Sequence, residues 1–285
     1  MSESLSSAFS THRGRPVRSL SNPRGVLTFW LPAFWLVVVV LTAVIAPILP
    51  METDPDYSSI ASAPSTGHLL GTDSIGRDNL SRLILGGRSS LFVAFCAVLF
   101  GMSIGVGLGL TAGYFRGKVD LVISAVVDVV LAFPGLVLIM VLVAIRGAST
   151  TTIVVGLTVA VTPTFTRIAR ANTLSFAQRG FVTAARVQGA RSTRILFREV
   201  LPNVLPTVQA YAFVVAAVAM VAQGSLSFIG LGVPPPTPSW GGMVAEGLPL
   251  LAPHPTVALI PAGILFLTVL SFNLVGDSLR TGSGK

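Results

Sequence analysis

The apolar positions of this chain gather into six long runs, residues 26–49, 91–114, 119–145, 151–168, 204–229 and 257–275, separated by polar stretches. An α-helix rises 1.5 Å per residue, so crossing about 30 Å of hydrocarbon takes about 20 residues. Each run meets or approaches that length. Backbone N–H and C=O groups find no water in lipid, which leaves helices as the spanning form for runs this long. The pattern predicts an all-α membrane protein with six transmembrane helices. The first run follows four arginines, as a signal peptide would. It exceeds a normal signal h-region, however, and leads into Pro47, Pro50 and residues 51–54 rather than a small-residue cleavage site, so it is read as a retained helix. Pro134 and Pro163 are expected to kink the third and fourth spans. Gly101, Gly105 and Gly109 form two overlapping G-x-x-x-G steps, a close-packing face for another helix.

Composition agrees. Of 285 residues, 52% are AVILMFWYC and only 11% are charged, with a mean hydropathy of +0.80. A soluble domain carries about 25% charged residues, and disorder needs low hydrophobicity with high charge; both classes are excluded. The net charge of +8 would suggest nucleic acid in a soluble protein. Here the distribution of basic residues matters more than their sum. Arg13, Arg15, Arg18 and Arg24 precede span one, and Arg116 and Lys118 lie between spans two and three. Arg167, Arg170, Arg179, Arg186, Arg191, Arg194 and Arg198 lie between spans four and five, and Arg280 and Lys285 follow span six. Six spans place all these segments on one side, with fifteen of the nineteen basic residues. Both termini are then cytoplasmic. The organisation is a cytoplasmic tail over 1–25, a first helix over 26–49 and an external segment with an interfacial helix over 50–90. A five-helix core over 91–276, including a cytoplasmic loop at 167–206, and a cytoplasmic tail over 277–285 complete it.

The external segment carries His68-Leu69-Leu70-Gly71-Thr72-Asp73-Ser74-Ile75-Gly76-Arg77-Asp78. Gly71 and Gly76 permit a tight backbone path, and Asp73 or Asp78 can cap a helix over 79–85, whose Leu80, Leu83 and Ile84 form one apolar stripe. Pattern alone favours a helix lying flat on the bilayer over a lip that receives a partner. The cytoplasmic loop is too polar to span and too patterned to be a linker. Residues 181–188 read as one short helix broken at Gly189. Residues 192–200 read as a second, ended by Leu201-Pro202, with Arg191, Arg194 and Arg198 on one charged face. Topology and lipid phosphates account for the arginines. They do not account for the small residues Ala184, Ala185, Gly189 and Ala190, which let another surface approach and point to a docking partner. Asp128 is the one acid well within a span, a functional candidate by its depth. The pattern favours a structural acid paired near the cytoplasmic end. No phosphate cradle, H-E-x-x-H pair or Ser/His/Asp set is present. The single Cys96 excludes an internal disulfide, and His12, His68 and His254 lack ligand spacing.

Three runs together resemble the inner-membrane permease subunits of ABC importers, and more closely the second permease of the dipeptide/oligopeptide/nickel group. The first is Thr183-Ala184-Ala185-Arg186-Val187-Gln188-Gly189-Ala190, with Ile195 and Leu201-Pro202, similar to that family's EAA loop. The second is Gly71-Thr72-Asp73 with Gly76-Arg77-Asp78 and Ser81-Arg82. The third is Ser225-Leu226-Ser227-Phe228-Ile229-Gly230-Leu231-Gly232, followed by the prolines and Trp240-Gly241. The likeness covers nearly the whole chain beyond the N-terminal tail. Thr183 and Gly224 depart from it, each standing where the family commonly has Glu.

The resemblance implies a type I ABC importer permease core (MetI-like) with one extra N-terminal helix, in the bacterial plasma (inner) membrane. The implied partners are a second homologous permease, one or two ATPase subunits, an extracytoplasmic solute-binding lipoprotein and a peptide substrate. ATP and Mg²⁺ would be bound by the ATPases, with no cofactor in this chain. The coupling residues would be Thr183, Ala184, Ala185, Gly189, Ala190, Arg191, Ile195, Leu201 and Pro202, and transport would proceed by alternating access. Asn172 and Gln209 are polar candidates for the path. Nickel or a metal chelate remains open as cargo. So does an ion-coupled secondary transporter, although one off-centre acid and no evident repeat are poor material for it. A membrane-embedded enzyme lacks clustered catalytic groups, and a scaffold leaves the cytoplasmic loop unexplained.

Overall fold

The computed structural model describes residues 23–51 and 54–282. Arg13, Arg15, Arg18 and Lys285, on which part of the orientation argument rests, lie outside the described residues. Among the described residues the chain is helical, with no strand. The helices are α1 (Pro23–Ile45), α2 (Asn79–Phe115), α3 (Gly117–Ala132), α4 (Gly135–Arg146), α5 (Thr150–Phe176), α6 (Gly180–Val187), α7 (Ser192–Phe228), α8 (Trp240–Gly247) and α9 (Thr256–Gly282).

The α2–α5 pair is the centre of the bundle, and the expected glycine face makes it. A Cβ on Gly101 would lie 2.5 Å from Val161 Cγ2, one on Gly105 2.6 Å from Phe165 Cβ, and one on Gly109 2.6 Å from Ala169 Cβ. Gly113 continues the stripe against Thr173. Four glycines spaced by four meet four residues spaced by four, so two backbones come together with no side chain between them. Phe165 and Ala169 are fully buried there. α1 is tied to α9 by the Trp35 indole, whose Nε1 donates to Thr268 Oγ1 at 3.1 Å.

Four helices (α2, α5, α7 and Thr256–Arg280 of α9) are each long and apolar enough to cross a membrane, and α3 with α4 makes a fifth candidate if the bent pair is one span. That pair differs from the single kinked helix expected over 119–145. Phe133 is extended at the residue before proline, Pro134 donates no backbone bond, and the two helices meet at 82°. Pro163, by contrast, sits inside α5 without ending it.

Three boundaries also correct the sequence reading. The helix expected to lie apart over 79–85 is the outer end of α2. Asp78 caps it by accepting from Ser81 N at 2.7 Å, and the helix continues through Gly86-Gly87, which admit the Trp240 ring: a Cβ on Gly87 would lie 2.8 Å from Trp240 Cζ2. The fourth span does not end at residue 168; α5 carries Arg167 and Arg170 on to Phe176 because both arginines find acids on α3. Leu201-Pro202 does not end a short helix over 192–200. A π-helical stretch, Ile195–Val200, runs straight into the transmembrane helix, a wider turn that accommodates the missing proline donor. The connection between α5 and α7, expected over 167–206, is thus far shorter.

Candidate functional site

At one end of the bundle, α6 and the start of α7 form an elbow. Its inner side is nailed to the bundle: Val182, Ile195, Leu196 and Val200 are buried in the same apolar cluster as Phe165 and Ala169. Arg186 lies over the Tyr114 ring at 5.8 Å, which ties α6 to the end of α2. Gly189 closes α6 with φ +78°, its N–H donating to Arg186 O at 3.0 Å, and open space lies where a Cβ would stand. It is needed for its backbone conformation, not for close approach. Ala190 N donates to Ala185 O at 3.1 Å, completing the turn. The outer side is bare. Thr183, Ala184 and Arg191 are exposed, as are Val187 (83%) and Phe197 (65%). Ala185, Ala190 and Leu201 are half-buried, Pro202 is exposed, and Ile195 faces the core. Nothing among the described residues pairs with Arg191, Arg194 or Arg198. Exposed apolar side chains thus stand beside unpaired cations on one side of the elbow.

At the other end, Asp73 is a hub. Its Oδ1 accepts from the backbone N–H of Ile75 and Arg77, each at 2.9 Å. Its Oδ2 accepts from Arg77 Nε at 2.6 Å and from Arg82 Nη1. Both arginines also reach Glu246 Oε2 at 2.7 Å, which binds the external segment and α2 to α8. Burial alone would push the Asp73 carboxyl up; the two backbone donors and the Arg82 charge outweigh it and hold it below the usual value. Asp56 is held at about 2 by Ser58 and Ser59. Gly71 (φ +70°) and Gly76 (φ +86°) supply the left-handed turns of this segment, and the Thr72 hydroxyl accepts from Ser62 N at 2.9 Å. Asp78, besides its cap, faces His68 Nδ1 at 3.2 Å. At the far end of α7, Ser227 accepts from Gln223 Nε2 at 3.2 Å and meets Ser239 Oγ at 3.2 Å. Ser227, Gly230, Gly232, Ser239 and Glu246 line a recess of about 360 Å³. Ser225 is half-buried and donates to Val221 O at 2.9 Å. Gly224 packs backbone to backbone on Gly241, where a Cβ would lie 2.5 Å from Gly224 O.

Residues 105–282 match the family model of the binding-protein-dependent transport system inner membrane component. The chain belongs to that family. It is a multi-pass inner-membrane permease of the ABC importer type, a transport subunit and not an enzyme. Such a permease works with a second permease, ATPase subunits and a binding protein. The glutathione transport system permease protein of Pectobacterium atrosepticum is 42% identical over 225 residues, covering 79% of this chain and 75% of that one. Its namesake in Escherichia coli O6:K15:H31 is 38% identical over 251 residues, covering 87% and 83%. Among solved structures, the inward-facing methionine ABC transporter MetNI aligns with a TM-score of 0.60 at 20% identity, over 70% of this chain and 95% of that one. An amino acid ABC transporter solved with histidines aligns at 0.55 and 18% identity, over 71% and 94%. These two establish likeness of fold.

Within the permease, Asp128 pairs with Arg167 Nη2 at 2.7 Å. Sequence reading missed a second bridge beside it: both oxygens of Asp120 accept from Arg170, Oδ2 at 2.6 Å. The signal was present. Asp120, Ser124 and Asp128 share one helical face by their spacing of four, and Arg167 and Arg170 share another by their spacing of three. Arg82 and Glu246 were legible only as external charges, because 164 residues separate them. Of the path candidates, Asn172 is half-buried and donates to Ile168 O at 2.8 Å, whereas Gln209 is exposed. Among the described residues no group of three or more His, Cys, Asp or Glu could hold a metal.

Proposed function

We propose that this permease imports peptides. It would form half of the translocation path with a second, homologous permease, and two ATPase subunits would grip the elbow at α6 and α7. The six-span arrangement, with α1 as an additional N-terminal helix and both termini cytoplasmic, puts that elbow in the cytosol and the Asp73–Arg82–Glu246 network outside, where a solute-binding lipoprotein delivers its cargo. Relatives named for glutathione, itself a peptide, support the substrate class over nickel or a metal chelate. One observation carries the coupling role: an elbow with a bare outer side and an inner side buried in the transmembrane core. Closure of the ATPases on ATP would move this elbow as a rigid lever and rock the permeases from inward-open to outward-open. Thr183, where the family commonly has Glu, leaves the small-residue face intact. The outer motifs Gly71-Thr72-Asp73, Gly76-Arg77-Asp78 and Ser225-to-Trp240 would build the receiving lip.

The test is capture of the ATPases by the tagged chain in detergent, together with ATP-driven uptake of labelled peptide by the assembled complex. Deleting residues 183–201 should abolish capture. Capture by the deleted chain, or labelling of Thr183→Cys from the exterior, would overturn the reading.

A further inference from the structure

The Asp128–Arg167 bridge is a charge pair in an unexpected place. Asp128 lies eleven residues beyond the start of α3, roughly 17 Å along the helix at 1.5 Å per residue. Arg167 lies nine residues before the end of α5, roughly 14 Å from it. Asp128 falls inside the apolar run 119–145 and Arg167 at the end of the run 151–168, the stretches whose length and hydropathy mark them as spans. Yet the two side chains are 63% and 60% exposed on the surface of this chain. Ionised groups at such depth face a bundle interior or a water-filled cavity, because lipid contact is too unfavourable. The α3–α5 face that carries them is therefore turned to the path or to the second permease, not to lipid.

The neighbouring bridge shows what a purely structural pair looks like here. Asp120 gives both oxygens to Arg170 and also accepts from Ser124 at 3.3 Å, with only 19% of its side chain exposed. Asp128 and Arg167 touch through one atom each. Asp128 Oδ2 and most of the guanidinium N–H groups have no partner among the described residues, so the pair keeps an unused acceptor and unused donors side by side at a wall.

We propose that Asp128 and Arg167 form an amphoteric station in the translocation path that takes the free termini of a peptide, Arg167 the carboxylate and Asp128 the ammonium. This rests on the peptide-import reading above. A peptide with free termini brings two charges into the membrane, and stripping water from each costs several kcal/mol unless the wall replaces it. Guanidinium binds carboxylate through two parallel N–H bonds. The pair is neutral overall, so it holds a zwitterion without trapping a lone ion of either sign, and re-forming the internal bridge releases the cargo.

The experiment uses the whole importer in proteoliposomes, in a Cys96→Ala background. First, Asp128→Cys and Arg167→Cys are treated with a charged, water-soluble thiol reagent. Both should label; modification by a lipid-soluble maleimide alone would overturn the proposal. Second, ATP-driven uptake is measured for a tripeptide pool with free termini, the same pool amidated at its C-termini, and the pool acetylated at its N-termini. The wild type should prefer the free pool. Arg167→Gln should cut its uptake at least tenfold and bring the free-to-amidated ratio towards one, and Asp128→Asn should do the same for the free-to-acetylated ratio. Equal loss for all pools, no loss, or full restoration by the exchanged pair Asp128→Arg/Arg167→Asp would reduce the bridge to a structural one and overturn the proposal. Absence of ATP-driven uptake in the wild type would instead count against the import reading itself.

Discussion

Trp240 lies across Gly87, near enough that a Cβ on the glycine would sit 2.8 Å from the ring, and its indole Nε1 donates to Leu83 O at 2.9 Å. One buried aromatic thus fastens α8 to the outer turns of α2. Trp240→Ala should lose about 3–5 kcal/mol of packing, the range for emptying a buried aromatic site. Gly87→Ala should destabilise by overpacking, about 1–3 kcal/mol. Thermal unfolding in detergent, read by size-exclusion retention, checks both; an unchanged midpoint in Trp240→Ala would remove this contact from the account.

Asp73→Asn should be the most damaging change in the external segment. Arg82 and Asp73 are only 7% and 4% exposed, and breaking a buried pair costs about 3–5 kcal/mol because the surviving charge is stranded. Limited proteolysis between residues 54 and 78 should accelerate by at least tenfold. Asp73→Glu should recover little, since the longer side chain cannot keep both backbone donors.

The same carboxylate sets an acid limit. The Asp73 carboxyl sits below its ordinary value in the folded protein, so the unfolded state takes up protons first as pH falls. Its contribution is fully present above about pH 4, the unfolded carboxylate value, and is lost as pH drops through the lowered folded value. Proteolytic resistance of the external segment should be level from pH 7 to pH 5 and fall only below about pH 4. A loss centred well above pH 4 would overturn the assignment to Asp73.

Gly105→Val should abolish folded protein, while Gly107→Val on the same helix should be tolerated. At Gly105 the added Cβ meets Phe165 Cβ at 2.6 Å and Thr162 O at 2.8 Å; at Gly107 nothing lies within 4 Å. The yield of monodisperse protein after solubilisation separates the two.

Gly189→Asp should insert normally and fail in uptake. The positive φ costs a side chain about 1–2 kcal/mol, and the added charge projects into open space on the bare side of the elbow. Gly189→Asn, which tolerates the left-handed conformation without the charge, should retain a substantial part of transport. Equal transport by Gly189→Asp and wild type would remove the elbow from coupling.

The glycine stripe was legible because its partner helix needs nothing but the absence of side chains, which a spacing of four announces by itself. The ends of the helices were not. Hydropathy stops the fourth span where charge begins, but Arg167 and Arg170 stay helical since α3 brings acids to them, a tertiary effect. The continuation of α2 past residue 85 through Gly86-Gly87 was hidden because their occupant, Trp240, comes from over 150 positions later in the chain. Pro202 read as a stop because a π-helical turn has no simple sequence mark. In the elbow, the small residues and Gly189 were visible as a motif. Which side of the elbow is anchored was decided by Val182, Ile195 and Leu196, whose burial depends on the bundle beneath them.

Since α7 continues as one helix of 37 residues from Ser192 to Phe228 through its π-helical turn, its two tips are mechanically coupled. A swivel of about 10° around the bilayer midplane displaces each tip by roughly 5 Å at 1.5 Å rise per residue, in opposite directions. Whatever drags the Arg194 tip inward swings the Ser227 tip outward in the same stroke. One mouth shuts as the other gapes, and no separate message has to cross the membrane.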